Sequence, residues 1–326
     1  MNPTRADFEA LFEHRLSDEQ MREFLLSLPL NAQTSSSMIA TAAEVMKQHA
    51  VTLNVSRQLQ DKLIDVVGTG GDKSGSFNVS SSVSILLCAC GAYVAKHGNR
   101  SITSKSGSAD VLEYMGMKLD LSLEQTAVLL EETGFAFLFA QYHHPAMKFI
   151  MPIRRSIPEK TVFNILGPLT NPVGLSKILL GVFDEVFVSK MVKAAQLGGM
   201  KSAIVVSSRE KMDEISISDI TYAARLYEEK IEYFEIDPQR YGIKKAPFEA
   251  ILGGEAPQNA QIMLDVFSNR STDAQRDIVL INAAYALIAD GMARDVQEGL
   301  EIARDGLLSG KAQEKLKQII TVSSKL

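Results

Sequence analysis

The stretch IDVVGTGGDKSGSFNVSSS, residues 64–82, runs from a short apolar segment through a glycine-rich loop into small hydroxyl residues. An apolar helical run from Val83 to Cys90 follows, and then a second strand-like segment, AYVA. Strand, loop, helix and strand form a unit in which the loop meets a helix N-terminus. Free backbone N–H groups and the positive end of the helix dipole gather there, so the place suits phosphate. Two common phosphate loops do not match. A Walker A loop closes its gap with Gly-Lys-Ser/Thr, which is missing here. A dinucleotide fingerprint wants a third glycine where Lys73 stands, and an acid at the end of the next strand, where the chain has Lys96. A nicotinamide cofactor is therefore not expected. Asp72 stands out, because it places a carboxylate in a loop built for an anion.

Outward from this unit, the apolar runs IDVV, AYVA, FAFLFA, ILLGVF and AIVVSS alternate with segments of helical period. That alternation predicts an α/β fold with a mostly parallel central sheet flanked by helices. Residues 1–62 read as a small all-helical unit. Ser17 and Gln20 form a capping box, behind which Met21, Phe24, Leu25 and Leu28 make one apolar stripe. A second helix is predicted through SSMIATAAEVMKQHA. The interval 141–175 holds five prolines and reads as short helices and ordered loops. Ser122 with Gln125, and Asp295 with Glu298, mark two further capping boxes.

Composition bounds the function. The chain has 326 residues, 46% hydrophobic and 22% charged, with a net charge of -5. These are the proportions of a soluble globular protein, and the charge argues against a dedicated nucleic-acid binder. Cys88 and Cys90 lie in an apolar run and read as core residues rather than as a metal site or a disulfide framework. The N-terminus lacks a secretory apolar region, and no apolar run reaches the ~20 residues of a membrane span. A cytoplasmic protein without membrane partners is expected.

Two further segments fall at strand exits, where open α/β sheets bind ligands. KHGNRSITSKSGSAD, residues 96–110, brings the cations Lys96 and Arg100 at its start, a histidine, an asparagine and many hydroxyls. REKMDEISISD places the adjacent acids Asp213 and Glu214 after AIVVSS. Alone, neighbouring acids decorate surfaces. Beside two phosphate-type loops, they are the ligands expected for magnesium escorting a polyphosphate.

GTGGD, FNVS, KHGNRS, SKSGSADVLE, HHPAMK, FNILGPLTNP and MDEIS, in this order, together with the C-terminal NAAYALIADG, resemble the anthranilate phosphoribosyltransferase family over essentially the whole chain. The resemblance implies a small helical domain, residues 1–62 joined in space by helices from about 141–175, and a large α/β domain, 63–326. It implies a homodimer and a cleft that joins anthranilate to 5-phosphoribosyl 1-diphosphate with release of diphosphate. The sugar diphosphate would be held by Gly68, Thr69, Gly71, Asp72, Ser76, Asn78, Val79, Ser80, Ser81 and Ser108. It would also be held by Lys96, His97, Gly98, Asn99, Arg100, Ser101, Ile102, Thr103 and Ser104. Magnesium would be bound through Ser80, Asp213 and Glu214. Anthranilate would meet Gly68, Asn99 and Arg154, with His143 and His144 nearby. The chain departs from the family pattern by Ser/Thr exchanges at Ser76, Ser81 and Thr103. Arg209 to Met212 replace the more usual His-Gly-x-Leu, and Pro158-Glu-Lys160 replace Gly-Ile-Arg.

The chemistry so implied needs positioning more than a strong base, since an aromatic amine is neutral and nucleophilic at pH 7. Electrostatic stabilisation of the leaving group should dominate. No obligatory catalytic base is assigned; His97 is the candidate to take the amine proton after attack. Asp72 can serve a ribose hydroxyl or a metal-bound water. Two rivals share the fold. A pyrimidine nucleoside phosphorylase would need neither diphosphate nor the acidic pair, and a non-catalytic nucleic-acid binder should show a basic groove.

Overall fold

The computed structural model describes residues 3–101 and 105–326. Among these, seven strands form one sheet: β1 (Leu63–Gly68), β2 (Tyr93–Gly98), β3 (Phe135–Phe139), β4 (Lys177–Gly181), β5 (Ser202–Ser208), β6 (Thr221–Tyr227) and β7 (Lys230–Ile236). The order across the sheet is β3-β2-β1-β4-β5-β6-β7. The first five strands in that order pair in parallel, and β6 and β7 extend the sheet antiparallel. β3 and β5 are buried at every position, as strands covered on both faces must be. All five apolar runs singled out above are strands, and the mostly parallel sheet flanked by helices is the fold observed.

The connections set the site. From β1 the chain steps outward to β2 and β3, then returns to lay β4 on the other flank of β1. The order reverses between β1 and β4, and in open sheets the crevice at the carboxyl ends of such a pair is the binding place. In register, Gly68 lies opposite Gly181 at those ends.

Each face of the sheet has its own core. On one side, helices Val79–Ala89 and Asp273–Asp290 pack over Ile64, Val66, Leu179 and Ile204. Helix Asp273–Asp290 is buried from Ile278 to Ala289 on nearly all sides. On the other side, helix Val188–Leu197 and the N-terminal helices Arg5–Phe12, Asp18–Leu26 and Ser36–Gln48 share one cluster with Ile178, Leu180 and Val205. The N-terminal helices begin where their caps predict, with Ser17 Oγ accepting from Gln20 N. Among the described residues no helix is long and apolar enough to cross a membrane.

Three sequence readings are corrected. Strand β2 does not end at Lys96 but runs on to Gly98, which buries the Lys96 side chain. Asp295 caps its helix through Glu298 N, but the Glu298 side chain accepts from Arg294 N at 2.7 Å rather than closing a box. The β6–β7 hairpin was not anticipated at all.

Candidate active site

Strand β1 delivers Gly68 to the crevice, and the chain then turns through Gly70 and Gly71, whose φ values of 66° and 72° favour glycine. Lys73 adopts φ 57° without that freedom. The acids arrive from β5 through a tight turn in which Ser208 N donates to Met212 O. Asp213 is seated by the two facing glycines. A Cβ at Gly68 would come within 2.6 Å of the Asp213 Cγ, and one at Gly181 would overlap the Asp213 carbonyl. Asp213 Oδ2 accepts from Gly70 N at 2.7 Å, so the acid and the glycine loop hold each other.

Glu214 turns towards the helix N-terminus, its Oε1 accepting from Ser80 N at 3.1 Å. Lys96 enters from below, with Nζ donating to Val66 O at 2.7 Å and to Ser80 Oγ at 3.1 Å. Both acids lie at the crevice floor, half-covered but surrounded by protein. Burial, reinforced by Asp72, pushes the Asp213 carboxyl up to about 7. Burial and then Asp213 hold Glu214 well above the carboxylate range, and burial lowers the Lys96 ammonium. Asp72 Oδ2 is buried and finds no donor among the described residues.

This cluster is short of positive charge. Among the described residues no three His, Cys, Asp or Glu side chains close around one point. The donors that do gather are two carboxylates and the Ser80 hydroxyl, all hard oxygens. That set fits magnesium, which takes one or two carboxylates and completes its shell with water and phosphate.

The edge formed by β2 is stiffened from behind. His97 N donates to both oxygens of Asp65 at 3.3 Å, and Asn171 Nδ2 reaches Asp65 Oδ2 at 2.9 Å and Ala95 O at 2.8 Å. Beyond Gly98, Asn99 O accepts from Ser108 Oγ at 3.3 Å. Asn99 Oδ1 accepts from Arg100 N and Gln141 Nε2, which turns Nδ2 outward. Asp110 Oδ2 takes Ser101 N at 3.0 Å and Gly107 N at 2.8 Å. Arg100 pairs with Glu113 and, at 3.3 Å, with Asp110. Ile102, Thr103 and Ser104, expected to line the site, lie outside the described residues.

His97 and His144 face each other with ring centroids 5.2 Å apart. Nδ1 of His97 lies 3.2 Å from Gly167 O, and among the described residues its Nε2 has no partner; the Thr170 backbone is the group that favours the charged ring of His144. Burial and then the facing histidine lower His97 to about 3 and, through His143, His144 to about 4. His143 clamps backbone instead: its Nδ1 lies 2.7 Å from Val51 O, and its carbonyl accepts from Val51 N. Arg154 is half-buried, reaching Phe163 O at 3.3 Å and Met151 Sδ at 3.4 Å. Burial lowers it to about 10, and no ion pair among the described residues involves it.

Several supporting residues escaped the sequence reading. Asn259, almost fully buried, donates to Asn78 Oδ1 at 2.9 Å and accepts from Gly254 N at 2.7 Å. Asn282 exchanges two 2.9 Å hydrogen bonds with Ile215, the residue after Glu214. Its signal was present: one amide in the otherwise apolar run IVLINAAYALIA.

Residues 60–313 match the family model described as the glycosyl transferase family, a/b domain. The chain is 40% identical over 312 residues to an anthranilate phosphoribosyltransferase of Persephonella marina, spanning 96% of this chain and 91% of that one. It is 42% identical to that of Exiguobacterium sibiricum, spanning 95% and 90%. The crystal structure of the Thermus thermophilus enzyme superposes with a TM-score of 0.91 at 32% identity, covering 99% of this chain and 97% of that one. The Saccharomyces cerevisiae enzyme in complex with PRPP and Mg superposes with a TM-score of 0.87 at 25% identity, covering 99% and 94%.

Proposed function

The chain belongs to the anthranilate phosphoribosyltransferase family, glycosyltransferases of tryptophan biosynthesis, and on that premise we propose how its own residues carry the transfer. The anomeric carbon of 5-phosphoribosyl 1-diphosphate loses its bond to diphosphate and gains one to the amine nitrogen of anthranilate, which gives up a proton. Amides of the Gly68–Asp72 loop and of the helix beginning at Val79 receive the diphosphate, with Ser76, Asn78, Ser80 and Ser81 closing around it. Lys96 supplies fixed positive charge beneath it. Ser80, Asp213 and Glu214 hold magnesium, and Asp72 accepts from a ribose hydroxyl. A bound magnesium ion supplies compensation for the charge gathering on the leaving group. Asn99, Arg100, Ser101 and Ser108, with residues 102–104, take the sugar phosphate.

Arg154 presents a planar fork to the anthranilate carboxylate, which lysine could not reproduce. Gly68 and Asn99 complete that pocket. His144 lines it, and His143 supports it by holding Val51. His97, neutral and lowered to about 3, is a weak proton acceptor, so no base is assigned. The amine proton becomes acidic once the nitrogen bonds to carbon, and water suffices. The homodimer, the cytoplasmic setting and the division into residues 1–62 and 63–326 belong to the same proposal.

One observation carries this reading. The Gly68 loop, Ser80, Lys96 and the Asp213–Glu214 pair meet at the switch point, joined by hydrogen bonds of 2.7 to 3.1 Å. The test mixes the purified chain with anthranilate, the sugar diphosphate and magnesium, and follows loss of anthranilate fluorescence. Loss should require all three. Fluorescence that stays constant in the complete mixture would overturn the assignment.

A further inference from the structure

The middle of the glycine loop has few anchors. Among the described residues, Gly70 N is held by Asp213, Ser74 N by Asp72 Oδ1, and the Gly71 carbonyl by Lys160, whose Nζ lies 3.3 Å away. Lys160 belongs to a distant piece of chain. Its own carbonyl accepts from Leu30 N at 3.0 Å, and Val162 N donates to Leu28 O at 3.0 Å. Pro29 and Thr161 thus form an antiparallel bridge between this segment and the end of the second N-terminal helix. The lysine ammonium sits over the face of Phe183, just beyond β4, with Nζ 3.4 Å from the ring centroid. That cation–π seat fixes the direction of a side chain that would otherwise sample many rotamers.

We propose that Lys160 is a positioning residue that couples the N-terminal helices to the diphosphate loop, its ammonium latching the Gly71 carbonyl while its backbone rides on Leu28–Leu30. A shift of the helical unit moves the bridge, and the bridge moves the latch. Two acids, Asp72 and Asp184, and two like charges, Lys73 and Lys211, surround the ammonium. Lys211 is already engaged with Asp184 Oδ2 at 3.0 Å. The coupling deepens the phosphoribosyl-transfer reading and rests on it. No direct contact between Lys160 and substrate is required.

The test compares the full chain with Lys160→Met, which keeps an unbranched side chain but removes the charge from both the Gly71 carbonyl and the Phe183 ring, and with Lys160→Arg. Steady-state kinetics should show the KM for the sugar diphosphate raised about fivefold in Lys160→Met, as expected for one partly exposed charged hydrogen bond. The anthranilate KM should stay within about twofold on the same grounds. Amides of residues 70–76 should exchange with deuterium faster in Lys160→Met, and Lys160→Arg should restore both readouts. Unchanged sugar-diphosphate KM and unchanged exchange in Lys160→Met would overturn the latch. So would equal rises in both KM values with a lowered Tm, which is the mark of general damage. If the wild-type chain shows no turnover, the transfer reading fails, and the exchange comparison alone then decides the latch.

Discussion

Two carboxylate sites flank β1, one inside the strand and the other in the loop after β5 that packs against its carboxyl end, and they are built on opposite terms. Asp65, fully buried in β1, accepts from His97 N with both oxygens and from Asn171 Nδ2. Burial raises it to about 6, and the nearby Lys96 charge opposes that rise. Asp213 and Glu214, at the crevice floor, each hold one backbone donor and repel each other and Asp72. Asp65 is the more deeply buried, and the partners differ. A satisfied buried network stiffens a fold, whereas a half-satisfied one costs stability and persists where function needs it. The first site holds β2 in place. The second is left short of a cation.

The strongest way to break this contrast is to neutralise the second site. Asp213→Asn with Glu214→Gln should lower kcat/KM by roughly 10³-fold, the scale of losing a preorganised electrostatic contribution. The same change removes like-charge repulsion, so stability without ligands should hold or rise by about 1 kcal/mol. Urea titration without magnesium, beside the fluorescence assay, reads both. A fall in stability together with activity would mean that the acids are structural. The mirror experiment is Asp65→Ala. It leaves His97 N and one of the two Asn171 Nδ2 hydrogens without the Asp65 acceptor, the other still reaching Ala95 O, and should cost about 3 kcal/mol by urea titration. Activity per folded molecule should fall less than in the double acid variant, by about tenfold at most, because Asp65 touches no substrate and acts through β2 and through the Lys96 charge that it favours.

Arg154 sharpens the comparison from the other sign of charge. It too lacks a charged partner among the described residues, where its guanidinium meets one carbonyl, a thioether and the Phe163 ring 5.6 Å away. Arg154→Ala should raise the anthranilate KM about 30-fold, the equivalent of a charged hydrogen bond worth about 2 kcal/mol. The sugar-diphosphate KM should move by less than about twofold. Equal changes in both constants would remove the fork from its role.

The same contrast separates what could be read in the sequence from what could not. Strands β1 to β5 were legible because each is centred on a short, mostly apolar run, as strands covered on both faces are. The β6–β7 hairpin was missed because its turn is Glu228-Glu229, with φ 48° and 63° and neither glycine nor asparagine to announce it. Strand β7 is also an edge with exposed charge at Glu232 and Glu235, which blurs its alternation. At the site, glycines and acids at strand exits announced themselves by residue type. Gly181 did not, because its need for a missing Cβ appears only once β4 returns beside β1 and Asp213 is laid against both. Asp65, Asn171 and Asn259 were silent for a related reason. An apolar-looking strand or helix conceals a polar group whose partners come from far along the chain.

The smallest expected effect tests whether the histidine pair belongs with the unsatisfied site. His144 is buried beside His143, the Thr170 backbone offsets only part of that burial, and its pKa is lowered to about 4. In the unfolded chain the imidazole takes up a proton near pH 6.5, while the folded protein resists until about 4. The unfolded state therefore binds more protons within that window, and folding stability conferred above it is lost as pH falls. Asp65 and Asp213, raised to about 6 and about 7, pull the other way, because their folded forms bind the extra proton. Only a difference between proteins isolates the histidine. Between pH 7.5 and 5.5, wild type should lose about 1 kcal/mol relative to His144→Phe, which cannot titrate. A difference that stays flat across this range would show that His144 has found a partner, and would move it to the satisfied side of the comparison.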